Sequence, residues 1–333
     1  MNKTGKRILF GKILALAILT SLVLGVNGGC GRPAEPAVIR VGGLKGPTTI
    51  GLVFLQEWSV QGQASQTYKF TMAAAAEELL SLLVKEELDI ALLPANVASV
   101  LYNKTEGGVT VIDVNTLGVL YLVSGDREIT GPENLRGRTV YLTGKGTTPD
   151  YVLQYLLRAN GIDPSSCVLE YRSESAEVAA LLEQYPQALG LLPQPFATAA
   201  CAQNQALNIV MDLNEQWNLV QGEEGHRMVT GVTLVRNGFL QEHPEAVETF
   251  LQDHAASVTA IREDPDGGAR LVAAAGIVAG ESVAREALPY CNITYLEGEE
   301  MRQALAGYRQ VLFEQDPLAV GGALPGEDVY HIP

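Results

Sequence analysis

The chain is poor in the residues that carry out chemistry. Among 333 residues there are 4 histidines and 4 cysteines. No Cys-x-x-Cys pair or His/Cys cluster occurs, so nothing points to a zinc site. No Gly-x-Ser-x-Gly or His-Glu-x-x-His stretch is present. Gly144-Lys145-Gly146 lacks both the hydroxyl residue that must follow a phosphate-loop lysine and the upstream glycine. His254 falls on the apolar stripe of a helical pattern and reads as core. His243 precedes Pro244 at a helix start, His331 lies in the tail, and His226 sits in a polar run read as an exposed loop. The carboxylates are scattered, with no acid/base couple. No catalytic residue, metal or cofactor is therefore expected.

Positive charge is also scarce. Twenty-three Lys and Arg face 38 Asp and Glu, a net charge of -15, and no basic stripe is available for nucleic acid. With 47% hydrophobic and 18% charged residues the chain has ample material for a core, and its length predicts two domains. Gly 34 and Pro 16 are ordinary and exclude collagen-like or disordered classes.

The one long apolar run is at the start. Lys3, Lys6, Arg7 and Lys12 precede Ile13–Val26, a run of 14 residues against the roughly 20 a spanning helix needs. That is the anatomy of an export signal. Gly28-Gly29-Cys30 then resembles a bacterial lipoprotein processing site, with Cys30 as the lipidated first residue of the mature chain. Asn27 stands where such sites usually carry an aliphatic residue, and a plain secretory signal with a chance cysteine is the alternative. Residues 1–29 are thus a signal and 30–37 a lipidated cysteine and tether. Removing 4 of 23 cations leaves 19 against 38 acids, or -19. Cys167, Cys201 and Cys291 remain and read as buried free thiols.

Beyond the tether, short β-type runs alternate with helical patterns. Strands are predicted near Val38–Gly42, Tyr68–Thr71, Asp89–Leu93, Thr139–Leu142, Val168–Tyr171 and Leu189–Leu192, with helices between them. This rhythm predicts parallel sheets covered by helices on both faces. An internal repeat underlies it. Lys45-Gly46-Pro47-Thr48-Thr49 is echoed by Lys145-Gly146-Thr147-Thr148, and Leu92-Leu93-Pro94 by Leu191-Leu192-Pro193. The offsets are 100 and 99 residues. All four words follow strands and open helices, where open α/β sheets bind ligands. Thr148 reads as a helix cap and Pro149 as the first helical residue. Two β-rich stretches, after Val109 and from Met228 to Val235, can carry the chain out of a first lobe and back. The expected architecture is α/β: two similar three-layer lobes, 38–118 with 231–333 and 119–230, joined by a two-strand hinge near 118 and 231. The helical tail is expected on the first lobe.

The stretches GGLKGPTTIGL, DIALLPANVASVLYNKT, ENLRGRTVYLTGKGTTPDYVLQYLL and ALGLLPQPFATAA resemble ABC-transporter solute-binding proteins of the nitrate/sulfonate/taurine and thiamine-precursor-pyrimidine branch. The resemblance implies the type II periplasmic binding protein-like fold. It implies an exported, lipid-anchored monomer on the outer face of the cytoplasmic membrane (or in the periplasm). Such a protein captures a small anion or a pyrimidine-like solute and delivers it to an ABC permease and its ATPase. By position, the ligand-binding residues would be Lys45, Thr48, Thr49, Asn96, Thr147, Thr148 and Gln194. Each threonine could equally be a helix cap and each lysine a solvated turn residue. Trp217, Tyr121 and Phe196 could stack on a ring or pack in the core. Two other readings exist on this fold: an enzyme of thiamine-pyrimidine or menaquinone synthesis, and a sensor lipoprotein without transport.

Overall fold

A computed structural model describes residues 38–222 and 226–332. The export signal, Cys30 and the tether lie outside the described residues. In chain order the strands are β1 (Ile39–Leu44), β2 (Tyr68–Ala73), β3 (Ile90–Pro94), β4 (Val109–Leu117), β5 (Leu120–Ser124) and β6 (Thr139–Thr143). They continue with β7 (Val168–Arg172), β8 (Leu189–Pro193), β9 (Asn208–Asp212), β10 (Val229–Arg236) and β11 (Ile293–Leu296).

These strands form two sheets. The first runs β11-β4-β10-β3-β1-β2 and the second β7-β6-β8-β5-β9. In the first, β1 lies parallel between β2 and β3; in the second, β6 lies parallel between β7 and β8. Parallel neighbours need a crossover of a dozen or more residues, and the helical patterns supply it. Helices Ala76–Val84 and Ser175–Gln184 make the equivalent return crossings. The central strands β3 and β8 are buried on both faces, which is why they read as unbroken apolar runs.

Both sheets are mixed rather than parallel. β10 runs antiparallel to β3 and β4, and β5 antiparallel to β8 and β9. Each is the strand that follows a passage of the chain from one sheet to the other. At the first passage only Gly118 and Val119 separate β4 from β5. A side chain at Gly118 would overlap the side-chain ends of Asn214 and Met228, so glycine lets the passage pack close against them. The crossing strands pass beside the repeated prolines: Gly231 pairs with Pro94, and Leu120 with Pro193.

Three elements were not visible in sequence. β9, helix Leu213–Gln221 and β11 are short, and in β9 only Met211 is buried. The helical tail does more than cover the first sheet. Helix Pro244–Glu263 packs on helix Val53–Val60, where Ser257 receives the Leu55 N–H at 3.1 Å and donates to Gly51 O at 2.6 Å. Helix Glu281–Ala287, however, packs on helix Phe196–Gln203 of the second-sheet half, and helix Gly298–Gln315 touches helix Thr148–Ala159. Trp217 is fully buried between Tyr155 and Tyr308, at centroid distances of 4.7 and 5.6 Å. One apolar cluster therefore runs through both halves.

The three cysteines are free thiols, Cys167 and Cys291 buried and Cys201 partly so. Burial pushes the Cys291 thiol up to about 12. His254 is buried, with Nδ1 3.1 Å from Asp113 Oδ2, as its place on the apolar stripe required. Among the described residues no helix is long and apolar enough to cross a membrane.

Candidate functional site

A cleft of about 880 Å³ lies between the two halves, at the carboxyl ends of β1, β3, β6 and β8. Both repeated lysine-glycine turns line it, as do Pro94 and Pro193. The walls are small and apolar: Ala74–Ala76 on one side, and Ala176, Ala179, Ala180 and Ala199 on the other. The segment from Gly276 to Val283 closes a flank.

Of the residues expected at the site, Lys45, Thr48, Thr147 and Thr148 line the cleft. Lys45 and Lys145 are exposed at its rim, and the Lys145 ammonium lies 5.4 Å from the Tyr171 ring centroid. Glu77, Glu174 and Glu183 share that rim and are also exposed. Thr48 is 4% exposed and its hydroxyl has no protein partner. Thr147 caps helix Thr148–Ala159 by position, and its hydroxyl donates to Gly144 O at 2.7 Å. Thr148, expected as the cap, is instead the first helical residue, and its hydroxyl donates to Asn96 Oδ1 at 3.4 Å.

Thr49, Asn96 and Gln194 lie behind the wall. The Thr49 hydroxyl donates to Leu44 O at 2.6 Å. Asn96 donates to Gly146 O at 3.1 Å and Ala319 O at 3.3 Å. Gln194 Oε1 receives the Thr198 N–H at 3.3 Å, and its Nε2 is buried without a partner. Thr49 is spent on its own turn and Asn96 on bonds across the halves, uses that sequence spacing does not distinguish from ligand contact. Of the three aromatic candidates, Phe196 lines the cleft, whereas Trp217 and Tyr121 are core.

Thr230 was missed. It lies on β10 at the cleft, is 7% exposed, and its hydroxyl has no protein partner. Beside it, the space a Gly231 side chain would fill holds the Thr48 methyl and Asn115 Oδ1. The MVTGVTLV stretch signalled a strand, and only its register against Pro94 brings Thr230 to the floor.

Asp150 holds the second turn rigid. Its buried carboxylate receives the Gly146 N–H at 2.9 Å, the Tyr171 hydroxyl at 2.8 Å and the Gln154 amide at 2.7 Å. Burial, then the bond to Asp150, raises the Tyr171 hydroxyl above the usual phenol range, so it stays a donor. The arrangement presents hydroxyls on the floor, apolar walls and charge only at the rim. It suits binding of a small organic molecule with an apolar body.

Residues 108–267 match the family model described as NMT1/THI5 like. No curated protein matches the chain. Among solved structures, it is similar to an ABC transporter from Parabacteroides distasonis at 24% identity and TM-score 0.71, covering 88% of this chain and 98% of that one. It is also similar to the periplasmic aliphatic sulphonate binding protein SsuA from Escherichia coli, at 16% identity and TM-score 0.68 over 89% and 91% of the two chains. The alkanesulfonate-binding protein SsuA from Xanthomonas axonopodis pv. citri, bound to MOPS, gives 14% and 0.67 over 88% and 96%. The chain has the periplasmic binding protein fold, with an NMT1/THI5-like segment that spans both passages between its sheets.

Proposed function

We propose that this chain is the extracytoplasmic solute-binding component of an ABC importer. Two lobes, 38–118 with 231–333 and 119–230 save that β10, from Val229, goes with the first sheet, close on a small solute about the two crossing segments. The closed form presents the solute to a permease coupled to an ATPase. The protein acts as a non-catalytic monomer, exported and held at the outer face of the cytoplasmic membrane through Cys30.

The observation that carries this reading is that Thr48 and Thr230 line the cleft while their hydroxyls are buried without protein partners. An unsatisfied buried hydroxyl costs about 1–3 kcal/mol, so the pair supports a ligand that supplies the missing bonds. The likeness to transport binding proteins supports the same conclusion. The two lysines favour an anion such as a sulfonate or carboxylate. The exposed Glu77, Glu174 and Glu183 beside them, and a floor of hydroxyls, favour a solute whose buried end is uncharged, such as a pyrimidine.

A thermal-shift screen of sulfonates, carboxylates and pyrimidines tests the reading, because a solute that binds the native state raises its melting temperature. A hit should also compact the protein in solution scattering. Thr48→Val and Thr230→Val should each weaken that hit about 5- to 10-fold with the fold intact. A hit whose affinity neither variant changes would remove the floor from the site. Turnover of a hit would favour the enzyme reading. Mass spectrometry of the protein made in a bacterial host should find a diacylglycerol on Cys30; an unmodified chain would leave a plain secretory signal.

A further inference from the structure

Asn96 joins the two halves. It sits in the first turn of helix Ala95–Lys104, just after β3, and its side chain is fully buried. One amide nitrogen donates both to Gly146 O of the second-sheet half and to Ala319 O of the first. The amide oxygen receives the hydroxyl of Thr148 from the second-sheet half. Every polar atom of the side chain is used, and two of its three bonds cross between the halves.

The turn it grips is the cleft wall. Lys145, Thr147 and Thr148 line the cleft, while Gly146 O and the Thr148 hydroxyl face Asn96. Within its own half the turn is already fixed by Asp150 and Thr147. Asn96 therefore adds nothing to the shape of the turn; it sets where the turn stands relative to the first sheet. Its near-counterpart Gln194 caps its own helix and makes no such crossing.

We infer that Asn96 is a clasp between the lobes, a positioning residue that favours the closed form without touching the solute. This rests on the solute-binding reading only in giving closure a purpose. The physical reason is selective loss. In a variant lacking the amide, Gly146 O and the Thr148 hydroxyl lose their partner while the lobes are closed, and water replaces it once they part. The penalty falls on the closed form alone, and each lost bond shifts the balance about fivefold toward the open form.

The test is small-angle scattering of the whole protein without added solute. Asn96→Ala and the volume-preserving Asn96→Leu should raise the radius of gyration at unchanged circular dichroism. Thr148→Val, which removes one crossing bond from the other side, should raise it less. Asn103→Ala should leave it unchanged, because Asn103 bonds Val320 O and Ala323 O within its own half. If Asn96→Ala does not fold, Asn96→Leu and Thr148→Val decide. A wild-type radius in the folded Asn96 variants overturns the clasp, as does an equal increase in Asn103→Ala. If instead the variants open but no solute that stabilises the wild type compacts it, the clasp stands and solute-driven closure fails.

Discussion

The turn after β1 and the turn after β6 carry nearly the same letters, Lys-Gly-Pro-Thr-Thr and Lys-Gly-Thr-Thr-Pro, and the chain folds them differently. In the first, Gly46 is extended and Pro47 opens a helix of 4 residues. In the second, Gly144 and Gly146 are both left-handed, at φ of 70° and 71°, and Thr147 precedes a helix of 12 residues. The hydroxyls are used differently too. Thr48 is left without a protein partner at the cleft, while Thr148 turns to Asn96. The two Leu-Leu-Pro turns diverge in the same way: Asn96 reaches across, and Gln194 bonds back to its own helix. Two halves built alike thus have different tasks, the first supplying the floor and the grip, the second a rigid wall.

The largest effect on this contrast should come from Asp150→Ala. It strips three hydrogen bonds from a buried carboxylate site and should lower unfolding free energy in urea by about 3 kcal/mol. Thr49→Val, which removes the corresponding tie in the first turn, should cost only about 1 kcal/mol. Equal losses would mean the two turns are braced alike. A gentler probe uses the glycines, since a side chain at either Gly46 or Gly146 meets no atom within 4 Å. Gly146→Ala should still cost about 1 kcal/mol for its left-handed backbone, whereas Gly46→Ala should be neutral or stabilise by about 0.5 kcal/mol. Matching denaturation midpoints would erase the conformational difference.

The far end of the first sheet offers a pH test. Burial pulls the Asp89 carboxyl up, but hydrogen bonds from Arg40, with Arg236 behind them, outweigh it and hold the group below the usual carboxylate range. A folded value below the unfolded one, about 3.9, means the stabilisation is present above that pH and is lost as pH falls through the folded value. Asp89→Asn should lower stability at pH 7 and flatten the acid loss below about pH 4. Parallel stability–pH curves for variant and wild type would assign the acid sensitivity elsewhere. The smallest effect should come from Lys45→Gln and Lys145→Gln. As exposed rim charges they should change affinity for an uncharged solute by less than about threefold, whereas a much larger loss of affinity for a sulfonate or carboxylate would favour the anion reading.

Much of the fold was legible because it rests on local pattern. The apolar runs of β3 and β8, the helical stripe carrying His254, and the repeated words at strand ends follow from periodicity and turn chemistry alone. The candidate site was legible to the extent that its turns were: Lys45, Thr48, Thr147 and Thr148 came to the cleft with them. Thr230, Ile277, Val278 and Val283 did not announce themselves, because a strand register and a helix docked across the halves bring them there.

The sequence by itself determined two α/β halves, their repeated turns and the scarcity of chemistry-bearing residues, since each depends on neighbours along the chain. Only tertiary structure decided which hydroxyls remain free, which amides join the halves, and that the crossing strands run antiparallel. A hydrogen bond is settled by atoms about 3 Å apart in space, and Asn96 and Gly146 are 50 residues apart in the chain.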